Sequence, residues 1–447
     1  MTINTPALKK NYEAFINWFS ARFQKGTFLR NLSVVMTGTA IAQLIGFAMM
    51  PIVSRLFTPS DFGIFGSYNS VLSVLTAGVT LQYAQAIVLP TKKEEGISLL
   101  IVSLLSVGLV TSATALVLLF FPWIAQKLIN APSGWFLLLL LIALLVVGLN
   151  QSLQAWCIRA KAFQTTSISQ VIRSISSIGI WIAAGFWQMG ALGLVIGGIL
   201  ADFFASLNLW HVAKRDLKKT RASIGWIKIK QLAYEFRDFP FFSAPQNVMN
   251  ALSQGLPVLL LAYYYNISVA GAYAFAIRIL QVPMDFFLRP LRQVLFQKAS
   301  EIHNRDGNLY SLFIKTTGGL MLVAFIPCVI LFIWSPVIFT WIFGAEWKEA
   351  GLYARWLLFW LFVLFSNVPS VLCARILRQQ RNLFIYDCIV LLLRTAVLVL
   401  GGLYFSPLTT IIAFSIVGFI LNALFILWIT MMLFYKNKKA HMELYGL

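Results

Sequence analysis

A series of long apolar runs, repeated along most of the chain of 447 residues, is the feature that most restricts how this sequence folds. An α-helix needs about 20 apolar residues to cross the hydrocarbon core of a bilayer. The runs are too long, and alternate too little, for the strands of a membrane barrel. We therefore predict an all-α integral membrane protein with about 12 transmembrane helices, one per run. The runs cover about 32–54, 62–89, 97–121, 135–155, 167–187, 190–212, 241–264, 269–297, 311–333, 351–377, 384–404 and 408–434.

Composition excludes a soluble enzyme or binding domain, because only 11% of the residues are charged, against about 25% in soluble proteins. The net charge of +20 does not indicate nucleic acid, since the basic residues lie between apolar runs rather than on a soluble face. Residues 1–30 are polar, so no cleavable signal peptide is expected. The cysteines show no metal-ligand or disulfide spacing, and we predict no metal or cofactor. They are Cys157, Cys328, Cys373 and Cys388.

Basic residues favour one side of the predicted membrane. With a cytoplasmic N-terminus, the inner segments hold 26 Lys and Arg residues and the outer segments hold four. The positive-inside rule then predicts a multi-pass protein of the bacterial inner membrane with both termini in the cytoplasm. The basic balance also predicts contacts with membrane lipids. The four outer residues are Arg55, Lys127, Lys348 and Arg355.

A faint internal repeat predicts two pseudo-symmetric six-helix lobes. The stretch 61–68 resembles 269–276 and aligns Gly63 with Gly271. We predict a cytoplasmic amphipathic helix in 1–30, an N-lobe in 31–212, a basic linker in 213–240, a C-lobe in 241–434 and a cytoplasmic tail in 435–447. Equal topology of the halves places their symmetry axis along the membrane normal, and a site between repeats is typical of transporters. The linker is interpreted as a solvated connection, with lipid-headgroup sensing as the alternative.

Charged residues inside the predicted spans are candidate functional residues. A charge near the bilayer centre costs ~2.5–3.5 kcal/mol on the insertion scale, so each one needs a partner or a wet cavity. The set consists of Arg173, Asp202, Arg278, Asp285, Arg289, Arg292, Asp387 and Arg394.

The eighth span carries four of these charges within a sector of about 60° on a helix. Asp285 and Arg289 are four residues apart and are predicted to pair, whereas Arg292 reaches towards the cytoplasmic end. Arg278 has no local partner and is the strongest candidate for substrate contact. The alternative is an ion-pair network that only holds helices together.

Arg173 and Asp202 lie at equal distances from a short turn between the fifth and sixth spans, which predicts a structural pair. The alternative for Asp202 is a protonatable acid that couples transport to a proton gradient. In the eleventh span, Asp387 and Arg394 share a face but are two turns apart, too far for direct contact.

The seventh span presents three amides, Asn247, Asn250 and Gln254, on one helix face. Gln254 matches the predicted depth of Arg278, so the two spans are predicted to share a polar wall. Hydrogen bonding between helices is the alternative. Together with Arg173 and Arg394, Arg278 is predicted to line a basic cavity to which both lobes contribute residues. Arginine forks suit phosphate, and a lipid-linked diphosphate sugar fits such a cavity.

Several segments resemble a known family. The run 239–301 and the segment 38–70 resemble bacterial polysaccharide-biosynthesis flippases, the Wzx-type members of the multidrug/oligosaccharidyl-lipid/polysaccharide exporter superfamily. AIVLP (86–90) and LQAWCIRAKAF (153–163) match further family segments. Arg55, Pro59, Asp61 and Gly63 match the R-L-x-x-P-x-D-F-G turn of the family and are carried over as turn residues only.

This resemblance implies a MATE-like transporter of twelve helices and no enzymatic activity. The implied substrate is an undecaprenyl-diphosphate-linked oligosaccharide, moved from the cytoplasmic to the periplasmic leaflet by alternating access. A polysaccharide polymerase and chain-length machinery are the implied protein partners. The glycan, its pathway (O-antigen of lipopolysaccharide, capsule, exopolysaccharide or teichuronic-type polymer) and any coupling ion are left open.

Two rival functions stay open. A cation-coupled multidrug exporter of the same superfamily would need unpaired carboxylates in a largely non-basic cavity. An integral-membrane glycan polymerase or glycosyltransferase would be expected to have a large outer loop and an acidic pair, and neither is visible in the sequence.

Overall fold

The computed structural model describes residues 28–129, 134–220, 225–305 and 307–445. Within these ranges the chain is helical and contains no strand, which confirms the all-α prediction. The amphipathic helix predicted in residues 1–30 lies almost entirely outside the described residues.

The helices follow one another with short connections. Before the linker they are α1 (Phe28–Ala48), α2 (Met50–Leu56), α3 (Pro59–Gly78), α4 (Tyr83–Ala86), α5 (Lys93–Phe120), α6 (Pro122–Ile129), α7 (Trp135–Arg159), α8 (Phe163–Phe186) and α9 (Gly190–Thr220). The linker contains α10 (Trp226–Glu235) and a π-helical turn (Phe239–Ser243). They continue as α11 (Ala244–Tyr264), α12 (Ile267–Asn304), α13 (Leu309–Phe343), α14 (Lys348–Ser366), α15 (Val368–Ile376), α16 (Gln380–Tyr404) and α17 (Pro407–Tyr445), with a 3₁₀ turn (Ala345–Trp347) before α14.

Nine stretches of helix in the described ranges are long and apolar enough to cross a membrane, and the pair α1–α2, bent by 40°, makes a tenth. Two further helices that coincide with predicted runs, α3 and α11, are not among these ten. The membrane class is therefore confirmed, and the exact count of twelve stays a prediction. Helix α9 continues eight residues into the predicted linker, and α17 extends to Tyr445 through most of the predicted tail.

The two halves of the chain meet at one end of the bundle, which we name the turn end (residues 54–63, 267–271 and 341–347). Here α3 packs on α12 so closely that a Cβ at Gly63 would strike the carbonyl of Ile267. In the same way, a Cβ at Gly271 would strike the carbonyl of Pro59. Residues 59 and 63 lie 208 positions before 267 and 271, so the contact is reciprocal, as expected at a two-fold relation.

The helix starts at the turn end repeat the same relation. The Thr58 hydroxyl caps α3 by accepting the N–H of Asp61 at 3.2 Å. Asn266, again 208 positions later, caps α12 by accepting the N–H of Val269 at 2.8 Å. Such caps satisfy backbone donors that a helix start leaves unpaired. Pro59 occupies the first turn of α3, where its missing N–H costs nothing.

Side chains of the turn motif join elements that are distant in the sequence. Asp61 completes the cap of α3 and also accepts the N–H of Ala191 at 3.0 Å, at the start of α9. The Arg55 guanidinium donates to the carbonyls of Trp341 (3.2 Å) and Ile342 (3.4 Å) near the end of α13. The motif therefore fastens the first half of the chain to itself and to the second half.

The opposite end of the bundle, which we name the linker end, is held by polar contacts. Lys93 forms an ion pair with Asp216 at 2.7 Å. Arg159 donates to the carbonyls of Ile87 and Lys92, each at 2.7 Å. Helix α10 packs on the bundle through its buried residues Ile229 and Leu232, together with residues of α5.

Candidate functional site

Two adjoining chambers lie inside the bundle. The first, of about 690 Å³, is lined by α1, α3, α7, α8 and α9 and by three residues of α12. The second, of about 740 Å³, lies between α3, α4 and α7 on one side and α11 on the other. They share wall residues and therefore adjoin each other. The shared residues are Asn69, Ser73, Thr76 and Gln154.

Arg278 reaches from α12 into the first chamber, which is built mainly by the first half of the chain. Its guanidinium lies over the ring of Trp181 on α8, 5.0 Å from the ring centre. The indole is itself fixed, because Trp181 Nε1 donates to the carbonyl of Leu194 at 2.9 Å. Arg278 forms no ion pair with a described carboxylate, so its charge is open to a ligand in the chamber.

Arg173 and Asp202 face each other across the same chamber wall. Arg173 Nε lies 2.6 Å from one carboxylate oxygen of Asp202, and Nη2 lies 3.2 Å from the other. The Asp202 side chain is 9% exposed, whereas that of Arg173 is 59% exposed. The pair neutralises itself but leaves part of the Arg173 guanidinium facing the chamber. Two cations against one anion give the described lining of the first chamber a net charge of +1.

The predicted amides on α11 line the second chamber. Asn247, Asn250 and Gln254 all contribute to its wall. Asn69 on α3 and Gln154 on α7 face the same space from the first half of the chain. Sequence reasoning did not select these last two, although each is an amide within an apolar run and carries the same signal.

Arg394 lies elsewhere. Its guanidinium is sandwiched between the rings of Trp360 (3.7 Å) and Phe414 (3.9 Å) within the second half of the chain. Its Nε and Nη2 are buried and have no hydrogen-bond partner among the described residues. Arg394 lines neither chamber, so the structure brings two of the three expected arginines to the site and not the third.

Asp285, Arg292 and Asp387 are not among the described residues of the chamber walls. Asp387 is an exposed residue of α16. Asp285 has a polar partner, and the side chain of Arg289 is not described, so their predicted pairing stays a prediction. No cluster of three or more His, Cys, Asp or Glu side chains suited to a metal ion occurs in the described part of the chain.

Comparison with known families decides the identity of the chain. The family model described as "Polysaccharide biosynthesis protein" matches residues 52–351, which is more than half of the sequence. The chain belongs to this family. The match spans the motif residues Arg55 to Gly63, the second chamber and Arg278, and it confirms the family resemblance seen in the sequence.

A curated relative of this family member is the "Succinoglycan biosynthesis transport protein ExoT" of Rhizobium meliloti (strain 1021). It is 24% identical over 315 residues, which cover 68% of this chain and 60% of the relative. The chain therefore matches less than two thirds of the relative's length.

Solved structures share the fold. A "Lipid II flippase MurJ, inward closed conformation" aligns with a TM-score of 0.71 at 16% identity, over 88% of this chain and 86% of that one. An inward-facing "multidrug resistance MATE family transporter of the MOP superfamily" aligns with a TM-score of 0.61 at 14% identity, over 91% and 98%. The predicted MATE-like fold is thereby confirmed.

Within this family fold, the chambers can hold a ligand with one anionic part and one neutral polar part. Arg278 supplies an open cation at one place, and hydroxyls and amides lie among the apolar residues of the walls. The partner that fixes Arg278, Trp181, was not selected from the sequence, because nothing local relates residues 97 positions apart on different helices.

Proposed function

We propose that this protein is a membrane transporter, a flippase that moves an undecaprenyl-diphosphate-linked oligosaccharide from the cytoplasmic to the periplasmic leaflet. The observation that carries the proposal is Arg278, a cation of the second half that enters a chamber built mainly by the first half and pairs with no described carboxylate. A diphosphate meets this guanidinium through charge-assisted, two-pronged hydrogen bonds. The apolar lipid chain stays in the bilayer.

The arrangement suits alternating access. The halves are locked together at the turn end, while the second chamber extends to residues 82–88 near the linker end. We place the turn end on the periplasmic side, since the positive-inside rule puts the basic linker in the cytoplasm. Arg278 belongs to the second half but contacts Trp181 in the first. Rocking of the halves would therefore separate the two groups and change the anion site between states.

The test uses purified protein in liposomes with an undecaprenyl-diphosphate-linked glucose tetrasaccharide that carries a fluorophore on its terminal sugar. Quenching by external dithionite reports the fraction that has crossed the bilayer. Arg278→Met should lower the rate about 10- to 150-fold, the equivalent of one charged hydrogen-bond interaction of ~1.5–3 kcal/mol. Arg278→Lys keeps the positive charge but loses the two-pronged hydrogen bonding of the guanidinium, so its rate should lie between those of the wild type and Arg278→Met.

Arg394→Met is the matched control. It also removes an intramembrane guanidinium, but from an aromatic sandwich that lines neither chamber. Its rate should stay within about twofold of wild type, because only buried packing changes and Met fills irregular space well. Equal loss in both variants, or no translocation by the wild-type protein, would contradict the proposed function. Efflux of organic cations with no movement of the lipid-linked sugar would favour the multidrug-exporter alternative.

A further inference from the structure

The second chamber carries no formal charge. None of its described lining residues is Asp, Glu, Lys, Arg or His. The charged groups of the site, Arg278 and the pair Arg173–Asp202, all line the first chamber. The two adjoining chambers thus differ in charge, because the described lining of the first has a net charge of +1 and that of the second is neutral.

Five amide side chains of the second chamber form no hydrogen bond with any described residue. Each is half-buried or exposed towards the chamber. We name this set the amide wall. It consists of Asn69, Gln154, Asn247, Asn250 and Gln254.

Other amides in the same chamber are already engaged. Gln85 donates to the side-chain oxygen of Gln82 at 2.7 Å, and Gln82 donates to the carbonyl of Ala77 at 2.5 Å. Gln151 donates to the carbonyl of Thr76 at 3.4 Å. The free amides are therefore a subset, and they face one another from α3 and α7 on one side and from α11 on the other.

An amide side chain offers two N–H donors and an oxygen acceptor at no net charge. A sugar hydroxyl also donates and accepts, so a row of free amides matches a neutral glycan. Polar groups without partners are costly beside hydrocarbon, which favours amides that gain partners from water or from the cargo.

A carboxylate in this chamber would lack compensation. The site has one net positive charge, and the diphosphate of the cargo, with at least two negative charges, already exceeds it. A uronic acid would add a further negative charge to a neutral space enclosed by apolar helices, where an unpaired ion is poorly tolerated.

We propose that the amide wall makes this protein selective for glycans whose sugars next to the diphosphate are uncharged, an inference that rests on the function proposed above. The diphosphate occupies the first chamber at Arg278, and the first sugars lie between the amides of the two halves. Selectivity against acidic sugars arises because none of the described residues of the second chamber supplies a cation.

The test compares two probes in the liposome assay. One is the undecaprenyl-diphosphate-linked glucose tetrasaccharide, and the other differs only by glucuronic acid as the second sugar. The wild-type protein should move the neutral probe at least about tenfold faster, since an uncompensated ion is disfavoured in a low-dielectric cavity. Asn250→Lys supplies a cation in the second chamber and should lower the ratio of the rates for the neutral and the acidic probe to about threefold or less. Gln85→Lys places a cation at another wall position of the same chamber and should lower the ratio as well.

The outcomes separate the two proposals. Equal rates for the two probes in the wild-type protein would overturn the selectivity and leave the flippase function standing. Movement of neither probe would overturn both. An unchanged ratio in Asn250→Lys, with the neutral rate preserved, would refute the assignment of selectivity to the amide wall. The comparison of probes on wild-type protein does not depend on the folding of any variant.

Discussion

The closed turn end depends on the absence of a side chain at Gly271, and Gly271→Ala tests this dependence. The added Cβ would lie 2.6 Å from the backbone nitrogen of Gly63 and 2.9 Å from the carbonyl carbon of Pro59. The carbonyl oxygen of Pro59 would lie nearer still, and ordinary contact begins at 3.4 Å, so α3 and α12 would have to separate by more than 0.8 Å. Because the opposing atoms are backbone, no side chain can rotate away to relieve the clash.

The expected cost follows from overpacking, which typically destabilises a packed interface by about 1–3 kcal/mol. The cost applies only while the turn end is closed, because the two helices no longer touch once the halves separate. The ratio of closed to open molecules should therefore fall roughly 5- to 150-fold. The change acts on the equilibrium between two arrangements and leaves the cores of both halves intact.

Ser54 provides the reporter for this equilibrium. It is 2% exposed in the turn-end seam, where its hydroxyl donates to the carbonyl of Phe343 at 3.0 Å and its carbonyl accepts the indole N–H of Trp347 at 2.8 Å. In a background without the native cysteines, Ser54→Cys should react with a hydrophilic maleimide only when the seam opens. Its labelling rate in nanodiscs should rise in proportion to the open population.

Gly108→Ala is the matched control, because a Cβ there meets no atom within 4 Å. It should leave the labelling rate of Ser54→Cys unchanged. Equal labelling rates in Gly271→Ala and Gly108→Ala would refute the claim that the glycine contact holds the turn end shut.

Two further substitutions test polar contacts. Asp61→Ala removes a carboxylate shared by the starts of α3 and α9 and should lower the free energy of unfolding by about 1–2 kcal/mol, which is measured as a lower Tm in detergent. Asp61→Asn should recover part of the lost stability. An unchanged Tm for Asp61→Ala would contradict the shared cap. Asp202→Asn frees Arg173 and raises the net charge of the first chamber from +1 to +2. The substitution should tighten binding of undecaprenyl diphosphate in a titration. It should lower the stability by about 1 kcal/mol or less, because Arg173 is largely exposed. Weaker binding would show that the ion pair, rather than the free charge, forms the anion site.

The membrane fold could be predicted from the apolar runs, because burial in lipid requires long uninterrupted helices. The breaks of a helix within an apolar run could not be predicted from the sequence. The run 351–377 contains the junction of α14 and α15 at Asn367, and 32–54 contains the bend before α2. Helices α3 and α11 do not reach the hydropathy of a typical span since they line the chambers with amides and hydroxyls. Function thus weakens the very signal by which such helices are recognised.

The site was predictable where distance along one hairpin decides contact. Counting from the turn at residues 188–190 places Arg173 and Asp202 at one depth, and the structure has them 2.6 Å apart. The surroundings of Arg394 depend instead on the packing of three helices, α14, α16 and α17, which sequence periodicity does not specify. Its sandwich between Trp360 and Phe414 could not be derived without coordinates.

The internal repeat is faint because pseudo-symmetry restricts residues only where symmetry-related positions touch. Away from the axis, equivalent positions occupy different surroundings and their identities drift apart. At the turn end, Gly63 meets the carbonyl of residue 267 and Gly271 meets that of residue 59, so one contact is made twice. A side chain at either glycine would force α3 and α12 apart, and this separation would also make room for a side chain at the other glycine. The effects of Gly63→Ala and Gly271→Ala on Ser54→Cys labelling should therefore be clearly less than additive, as coupled neighbours are, whereas fully additive effects would mean that the two contacts open independently.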